Sequence, residues 1–221
     1  MDYHIRNCRK FFSFFSVFLF IFFSCAQNSA DINQSEMTVV FEYQDEESLP
    51  SARLCAFVES ASDSRRSGLL QLSTKKDGFI WNAASLVRIK SGDKFWTGYT
   101  NFLMQKNQPF PLDSYRILIQ NADEKEAEEI FDFSYDSSFY KLKASEVEEK
   151  MQNLGAVKKI AIYDENHILL YYGELKDNLS SSRKIWNVYS KANYFNVIWQ
   201  TKDNTVICIL PKQLVVPDEN D

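Results

Sequence analysis

The sequence predicts a mainly β protein, in which an antiparallel β-sandwich over residues 37–138 is followed by a small α+β unit over residues 142–214. The first observation is a series of short runs that alternate apolar and polar residues, spaced roughly ten residues apart with turn sequences between them, as in β-sandwiches. The second is a change of rhythm after residue 141, where two helical patterns alternate with two hairpin patterns. The third is an aromatic content of 15%, which supplies enough apolar surface for a core.

The strands of the predicted sandwich begin with the run MTVVFEY, which places Val39, Phe41 and Tyr43 on one face. The run ARLCAFVE alternates in the same way around Leu54 and Val58. The further runs are SGLLQLS, GFIWNA, SLVRIK, KFWTGYTNFLM, SYRILIQ and EIFDFSY. Glycine, proline, asparagine and aspartate cluster between these runs and predict turns, at 77–78, 91–93, 107–111 and 121–125.

The predicted α+β unit begins with a capping box, in which Ser145 accepts from a first-turn amide and Glu148 reaches back. The helix is expected to end at Leu154, with Gly155 in the left-handed conformation that stops it. Two strands follow, VKKIAIYD and HILLYYGE, joined by a turn at 164–166. A second helix over SSSRKIWNVYSKAN presents one apolar side, formed by Ile185, Val188, Tyr189 and Ala192. The hairpin FNVIWQT and TVICIL completes a four-stranded antiparallel sheet with both helices on one face.

Both ends of the chain are expected to lie outside the two folded units. The acidic end, residues 215–221, is predicted to be disordered. At the other end, Arg6, Arg9 and Lys10 precede an uncharged apolar run at 11–23, which is the layout of a secretory signal peptide. This run is shorter than the about 20 apolar residues that a membrane-spanning helix needs.

Ser24 and Cys25 follow the apolar run directly, and a small residue before a cysteine at this place resembles the lipobox of bacterial lipoproteins. The resemblance implies a diacylglyceryl group on the Cys25 thiol and cleavage of the chain just before that residue. Residues 1–24 would then be the signal peptide, and residues 25–36 a lipidated cysteine with a flexible tether of small polar residues.

Phe22 and Phe23 depart from the usual lipobox, which has an aliphatic and a small residue at these two positions. Two alternatives to lipidation therefore stay open. One is a signal anchor that remains attached, and the other is an ordinary signal peptide cut near Ala30.

The stretch from KFWTGY to EIFDF has a further resemblance. An aromatic strand leads to a loop with prolines, then a strand that contains Tyr115, a polar turn and a last strand. This order resembles the second half of the immunoglobulin-like domains of spirochaetal surface and periplasmic lipoproteins. The resemblance implies a binding or scaffolding module, in which Tyr115 packs inward and its hydroxyl bonds a backbone group at a corner.

Two cysteines remain in the predicted folded units, Cys55 and Cys208. An exported chain meets an oxidising environment that permits a disulfide between them. Both lie in alternating apolar runs, however, where free cysteines act as small buried hydrophobic residues. The sequence leaves both possibilities open and favours the free thiols.

Catalytic chemistry finds little support in the sequence. His167 is the one histidine after the predicted signal, and as a lone residue beside a turn it is expected to be solvated. The familiar nucleophile, phosphate-binding and zinc-binding motifs are absent. We therefore predict no catalytic residue, no cofactor and no metal, and an enzyme ranks third among the function classes.

Two acidic clusters, 45–47 and 123–129, fall in predicted turns at the ends of strands. Solvated charge is the expected state of such clusters. Calcium binding by loops at the end of a sandwich is the functional alternative, because calcium prefers oxygen ligands.

Large aromatic residues around the sixth run form a possible binding patch, made of Trp96, Tyr99, Phe102 and Phe110, with Phe95 beside it. Successive residues of a strand face opposite sides, so these residues cannot all be in the core, and aromatic residues often anchor interfaces. The alternative, which we favour, has Trp96 in the core and the others at the junction of the two units. A second aromatic cluster allows the same two interpretations: Tyr171, Tyr172, Trp186 and Trp199.

These observations predict a lipoprotein held in the cell envelope by its N-terminal lipid, on the inner or the outer membrane and either periplasmic or surface-exposed. It would act without catalysis, as a protein-interaction or scaffolding module. The alternative is a lipoprotein that captures a sugar or a peptide between its two units. Nucleic acid is not an expected partner, because the net charge is −5 and the chain has no long basic run.

Overall fold

The computed structural model describes residues 31–60 and 67–215, and these residues form a mainly β protein, as the sequence predicts. The predicted signal peptide, Cys25 and most of the predicted acidic tail lie outside the described residues. The first half contains eight strands: β1 (Gln34–Glu42), β2 (Ser51–Ser60), β3 (Ser67–Thr74), β4 (Ile80–Ala83), β5 (Val87–Ser91), β6 (Lys94–Phe102), β7 (Asp113–Asn121) and β8 (Glu126–Phe133).

The second half holds the predicted alternation of helices and hairpins. Its elements are α1 (Ala144–Asn153), β9 (Val157–Tyr163), β10 (Leu169–Glu174), α2 (Ser182–Val188), β11 (Tyr194–Gln200), β12 (Val206–Ile209) and β13 (Gln213–Leu214). Short 3-10 turns follow β6 at Gln105–Asn107, β8 at Ser137–Lys141 and β10 at Asp177–Leu179.

These strands form two sheets. One has nine strands in the order β10-β9-β11-β12-β1-β2-β6-β5, with β13 paired to β11. The other is antiparallel and has four strands in the order β4-β3-β7-β8. The nine-stranded sheet is mixed, because β1 and β12 pair in parallel while its other neighbours are antiparallel.

The parallel pair β1–β12 joins the two predicted units in one sheet. Val39 lies opposite Val206 and Phe41 opposite Cys208, and the Val39 N–H donates to the carbonyl of Thr205 at 2.9 Å. The four antiparallel strands predicted for the second unit are present in the order β10-β9-β11-β12, but they do not end as a separate sheet. Without β12, β1 would be an edge strand with unpaired backbone N–H and C=O groups. β12 forms hydrogen bonds with these groups.

The two units also share one core, which packs on a single face of the nine-stranded sheet, called here the inner face. Its buried members come from both halves of the chain: Phe41, Leu54, Leu72, Tyr115, Ile117, Val147, Met151, Trp199 and Cys208. A smaller cluster on the same face packs α2 against the sheet through Ile160, Ile162, Ile185 and Phe195. Both helices therefore lie on one face of the sheet, as predicted.

The first helix starts earlier than predicted. Its N-cap is Lys143, so Ser145 lies inside the first turn, where its N–H donates to the carbonyl of Glu46 at 3.2 Å. The carboxylate that reaches back to the Lys143 N–H belongs to Glu146, at 2.9 Å, while Glu148 pairs with a lysine on β9. The predicted stop at Gly155 is confirmed, since that glycine has φ +64°.

The second helix is shorter than the predicted pattern. It covers only Ser182–Val188, and Ser181 caps it by accepting from the Lys184 N–H at 3.4 Å. Ile185 is buried, whereas Val188 is 47% exposed, so only part of the predicted apolar side faces the core. The turn that follows lets Ala192 reach the core from outside the helix.

The structured part of the chain is longer at both ends than predicted. Three residues of the predicted tether, 34–36, belong to β1, and the Asn33 N–H already donates to the carbonyl of Glu59 at 2.8 Å. At the other end Val215, placed in the predicted tail, is 6% exposed, and its N–H donates to the carbonyl of Asn193 at 2.9 Å.

The predicted role of Tyr115 is confirmed. Its side chain is fully buried, and its hydroxyl donates to the carbonyl of Pro111 at 2.9 Å. Its ring packs edge-on against Phe133 of β8. Burial raises the pKa of the Tyr115 hydroxyl, so this group remains a hydrogen-bond donor at physiological pH.

Strand directions place two features at opposite ends of the nine-stranded sheet. β12 is parallel to β1, β11 is antiparallel to β12, and β9 is antiparallel to β11, so β9 runs in the direction of β1. The chain enters β1 at Gln34, and β9 ends at Tyr163 in the turn to β10. The β9–β10 turn is therefore at the end of the sheet remote from Gln34.

Gly98 on β6 is required by a close contact with β2. A Cβ atom at this position would lie 2.3 Å from the carbonyl oxygen of Ala56 and 2.5 Å from two ring carbons of Phe57. The ring of Phe57 therefore lies over the glycine, and β2 and β6 approach each other without a side chain between them.

We expect Gly98→Ala to lower the free energy of unfolding by about 1–3 kcal/mol, the usual range for an added methyl in a filled space. Gly68→Ala is the matched control, because a Cβ there meets only the Gln120 carbonyl oxygen, at 3.9 Å. Chemical denaturation of the two variants measures the difference. Equal stability of both variants would contradict the close contact.

Candidate functional site

The predicted aromatic patch does not form, because its members lie on different faces. Phe102 and Phe110 are core residues, 2% and 1% exposed, and Tyr99 packs against the same core. Trp96 lies opposite Glu59 on the other face of the sheet, called here the outer face, and is half-buried. The favoured alternative, with Trp96 in the core, is also wrong.

A bulge in β6 explains this distribution. Tyr99 pairs with Ala56 and Phe102 with Leu54, so three steps along β6 match two steps along β2. The extra residue turns both aromatic side chains to the inner face, although strict alternation would separate them. No local sequence signal marks this bulge.

A different apolar patch lies on the outer face, around Gly98. This outer-face patch consists of Phe57, Val87, Ile89 and Trp96, whose strand partners place them side by side. Val87 is 39% exposed and Ile89 47%. Lys94 borders the patch, with its ammonium 5.9 Å from the Trp96 ring centre and 2.6 Å from the Glu59 carboxylate.

Lysine side chains lie over several other aromatic rings near the surface. The ammonium groups are 5.4 Å from the ring centre of Phe95, 5.4 Å from Tyr172 and 4.0 Å from Tyr194, and come from Lys90, Lys159 and Lys212. Such contacts are favourable, and the aliphatic stems shield the rings from water.

The second predicted aromatic cluster is dispersed as well. Trp199 is buried in the main core, and Tyr172 is 48% exposed. Tyr171 packs beside Tyr189 against the smaller core cluster. Trp186 is half-buried and lines a cleft, described next.

The cleft has a volume of about 530 Å³ and lies at the β9–β10 end of the nine-stranded sheet. It is lined by the β9–β10 turn, by α2, by the segment between α2 and β11 and by the residue after β13: Asp164, Glu165, Asn166, Trp186, Ser190, Lys191, Ala192, Asn193 and Val215. All of these residues but Val215 belong to the second predicted unit, so the cleft is not the predicted site between the two units.

The backbone around the cleft is held by hydrogen bonds. The Asp164 carboxylate accepts from the N–H groups of Asn166 and Ile168, at 2.9 and 2.8 Å, and so closes the turn. The Asn193 N–H donates to the carbonyl of Tyr163 at 2.8 Å. These bonds tie the two polar walls of the cleft to the end of β9.

Four polar side chains in the cleft make no hydrogen bond or ion pair with any other part of residues 31–60 and 67–215: Glu165, Asn166, Lys191 and Asn193. The sequence did not indicate these residues as a site, because asparagine and charged residues are common beside turns whether or not they bind a ligand.

His167 belongs to the same turn but not to the lining of the cleft. Its backbone has φ +62°, and its Nδ1 lies 2.8 Å from the hydroxyl of Tyr194. The side chain is exposed, in agreement with the sequence prediction.

The acidic clusters make separate local contacts. Glu47 forms an ion pair with Lys143 at 2.6 Å, and Asp45 accepts from the Glu47 N–H within its own loop. In the other cluster Glu128 pairs with Arg116, and Glu129 accepts from the Ser35 hydroxyl. Within the described ranges, no group of three histidine, cysteine or acidic side chains is arranged to hold a metal ion.

Cys55 and Cys208 are both free, as the sequence favours. Cys208 faces the inner core, whereas Cys55 lies opposite Thr38 on the outer face, so the sheet itself separates the two thiols. Burial raises the pKa of both thiols, and only a nearby Arg53 guanidinium opposes this at Cys55. Neither group is a ready nucleophile.

Comparisons with known proteins match the chain to no family model and to no curated protein. Among the described residues, no helix is long and apolar enough to cross a membrane.

We expect both thiols to resist alkylation in the folded protein, because Cys208 is buried, Cys55 is half-buried, and desolvation raises the pKa of both. Iodoacetamide treatment without a reductant, followed by peptide mass spectrometry, should modify Cys55 and Cys208 only after denaturant is added. A disulfide-linked pair of peptides would contradict the separation of the two thiols.

Proposed function

We propose that the protein is a lipoprotein, anchored through Cys25, whose immunoglobulin-like sandwich binds another protein in the cell envelope. The outer-face patch is the observation that carries the binding part of this proposal. It joins two aromatic and two aliphatic side chains on a sheet whose core lies on the other face.

The strand order supports an immunoglobulin-like sandwich. The four strands at one end of the large sheet have the order β1-β2-β6-β5, and the small sheet has the order β4-β3-β7-β8. Lettered along the chain, these orders are A-B-E-D and C′-C-F-G, the arrangement of that fold with an added C′ strand. Tyr115 then stands on strand F, where its bond to Pro111 matches the tyrosine corner.

The anchor is supported by the N-terminal sequence. A basic start, an apolar run and Cys25 follow one another in the order that lipoprotein precursors use. Each methylene buried in a bilayer contributes about 0.8 kcal/mol, so the two or three chains of a lipidated cysteine hold a protein firmly. Phe22 and Phe23 stand where the usual lipobox has an aliphatic and a small residue, so lipidation of Cys25 is the part of the proposal to test first.

The composition of the outer-face patch suits a protein partner. A tryptophan and a phenylalanine form its centre, and the Lys94–Glu59 ion pair lies at its border. Protein interfaces commonly combine buried aromatic anchors with a polar rim. Exposed Val87 and Ile89 on the edge strand β5 extend the apolar area to the end of the sheet.

We expect Cys25→Ala to lose both incorporation of a fatty-acid probe and retention in the membrane fraction. Metabolic labelling of cells that express each variant measures the first, and fractionation the second. Cys8→Ala and Cys55→Ala are the matched controls and should keep both properties. A Cys25→Ala chain that stays in the membrane without label would show that the Phe-rich run is a retained anchor.

We expect Ile89→Asp to abolish cross-linking of a partner to the patch, because a carboxylate placed there cannot be buried without a large cost. A photo-reactive residue at position 87 provides the readout in intact cells. Ile130→Asp is the control, since Ile130 is 59% exposed on the other sheet. Cross-links that survive Ile89→Asp, or that disappear equally in Ile130→Asp, would refute the patch as the interface.

A further inference from the structure

We propose that the cleft at the β9–β10 end binds a neutral pyranose sugar, with Trp186 as the surface on which the sugar ring stacks. The proposal goes beyond the protein interaction described above and does not depend on the lipid anchor. It is carried by the combination of one aromatic side chain with uncommitted polar groups in a single cleft.

The packing of α2 against the sheet positions Trp186. Ile185, its neighbour in α2, is fully buried against the sheet, and Ser181 caps the start of the helix. Trp186 itself packs against the smaller core cluster while remaining half-buried at the cleft. This packing restricts the motion of the indole before a sugar binds, which lowers the entropic cost of binding.

The polar walls offer both kinds of hydrogen-bonding group that sugar hydroxyls require. Asn166 and Asn193 each provide a carbonyl oxygen and an amino group, Glu165 provides acceptors and Lys191 provides donors. A hydroxyl can donate and accept at the same time, so it can satisfy any of these groups. Because the four side chains bond no other part of residues 31–60 and 67–215, a ligand displaces no protein hydrogen bond to reach them.

The mixed charges in the cleft give any charged ligand at least one unfavourable contact. A phosphate would meet the carboxylates of Asp164 and Glu165, and a cation, although attracted by these carboxylates, would meet the ammonium of Lys191. An apolar molecule would leave most of the polar lining desolvated without partners. A sugar ring has an apolar C–H face for the indole and a rim of hydroxyls for the polar walls.

The test is a calorimetric titration of the full-length protein in a detergent without a sugar headgroup. The probes are cellotetraose and N-acetylchitotetraose, with inorganic phosphate and lysine amide as charged comparisons. We expect at least one oligosaccharide to bind, with a Kd on the order of 0.1–1 mM for so open a site. Neither charged probe should bind at these concentrations.

Trp186→Ala should weaken binding at least tenfold, and Asn193→Ala by a factor of roughly three to ten, the usual effect of one lost hydrogen bond. The Asn193 side chain makes no bond within the described ranges, so its replacement preserves the fold and keeps the test valid if Trp186→Ala unfolds. Circular dichroism verifies folding. Tyr172→Ala, which removes an aromatic side chain that is 48% exposed and does not line the cleft, is the control and should bind like the wild type.

Three results would overturn the proposal. The first is that neither oligosaccharide binds at concentrations up to about 10 mM, some tenfold above the weakest Kd expected. The second is sugar binding that folded Trp186→Ala and Asn193→Ala variants retain in full. The third is binding of phosphate or lysine amide in preference to both sugars.

Discussion

The parallel pairing of β1 with β12 is the constraint on which the rest of the architecture depends. It joins strands from the two ends of the folded chain, and the Thr38 hydroxyl that reaches the carbonyl of Asn204 spans 166 residues of sequence. Through this pair the core on the inner face of the sheet continues under α1, where Val147 and Met151 belong to the same cluster as Phe41. A separate second unit would expose the edge of β12 and the apolar side of that helix.

Period-two alternation was sufficient to locate most strands and their turns, because it depends only on neighbouring residues. The parallel pair left no such trace, since nothing near Val39 indicates a partner as distant as Val206. The bulge in β6 was equally hidden, and it decided that Tyr99 and Phe102 share the core. The predicted start of the first helix was wrong for a local reason. The side chain that accepts from the Lys143 N–H is that of Glu146, and not the expected Glu148.

The candidate surfaces differ in how far the sequence could predict them. The aromatic patch considered near β6 does not form, and the outer-face patch found instead depends on the register of three strands and on the close approach of Phe57 to Gly98. The cleft has no sequence signature, because a tight turn, a short helix and a loop form it together.

The opposite placement of Gln34 and the β9–β10 turn would set the cleft apart from a lipid anchor. With a lipid at Cys25, eight residues of sequence would separate the anchor from Gln34, where the chain enters β1. The nine residues of β1 then span about 30 Å at 3.3 Å each, with the cleft beyond their far end. The bilayer would then lie toward the Gln34 end of the sheet, and the cleft at the other end would be within reach of polymers that never touch the membrane.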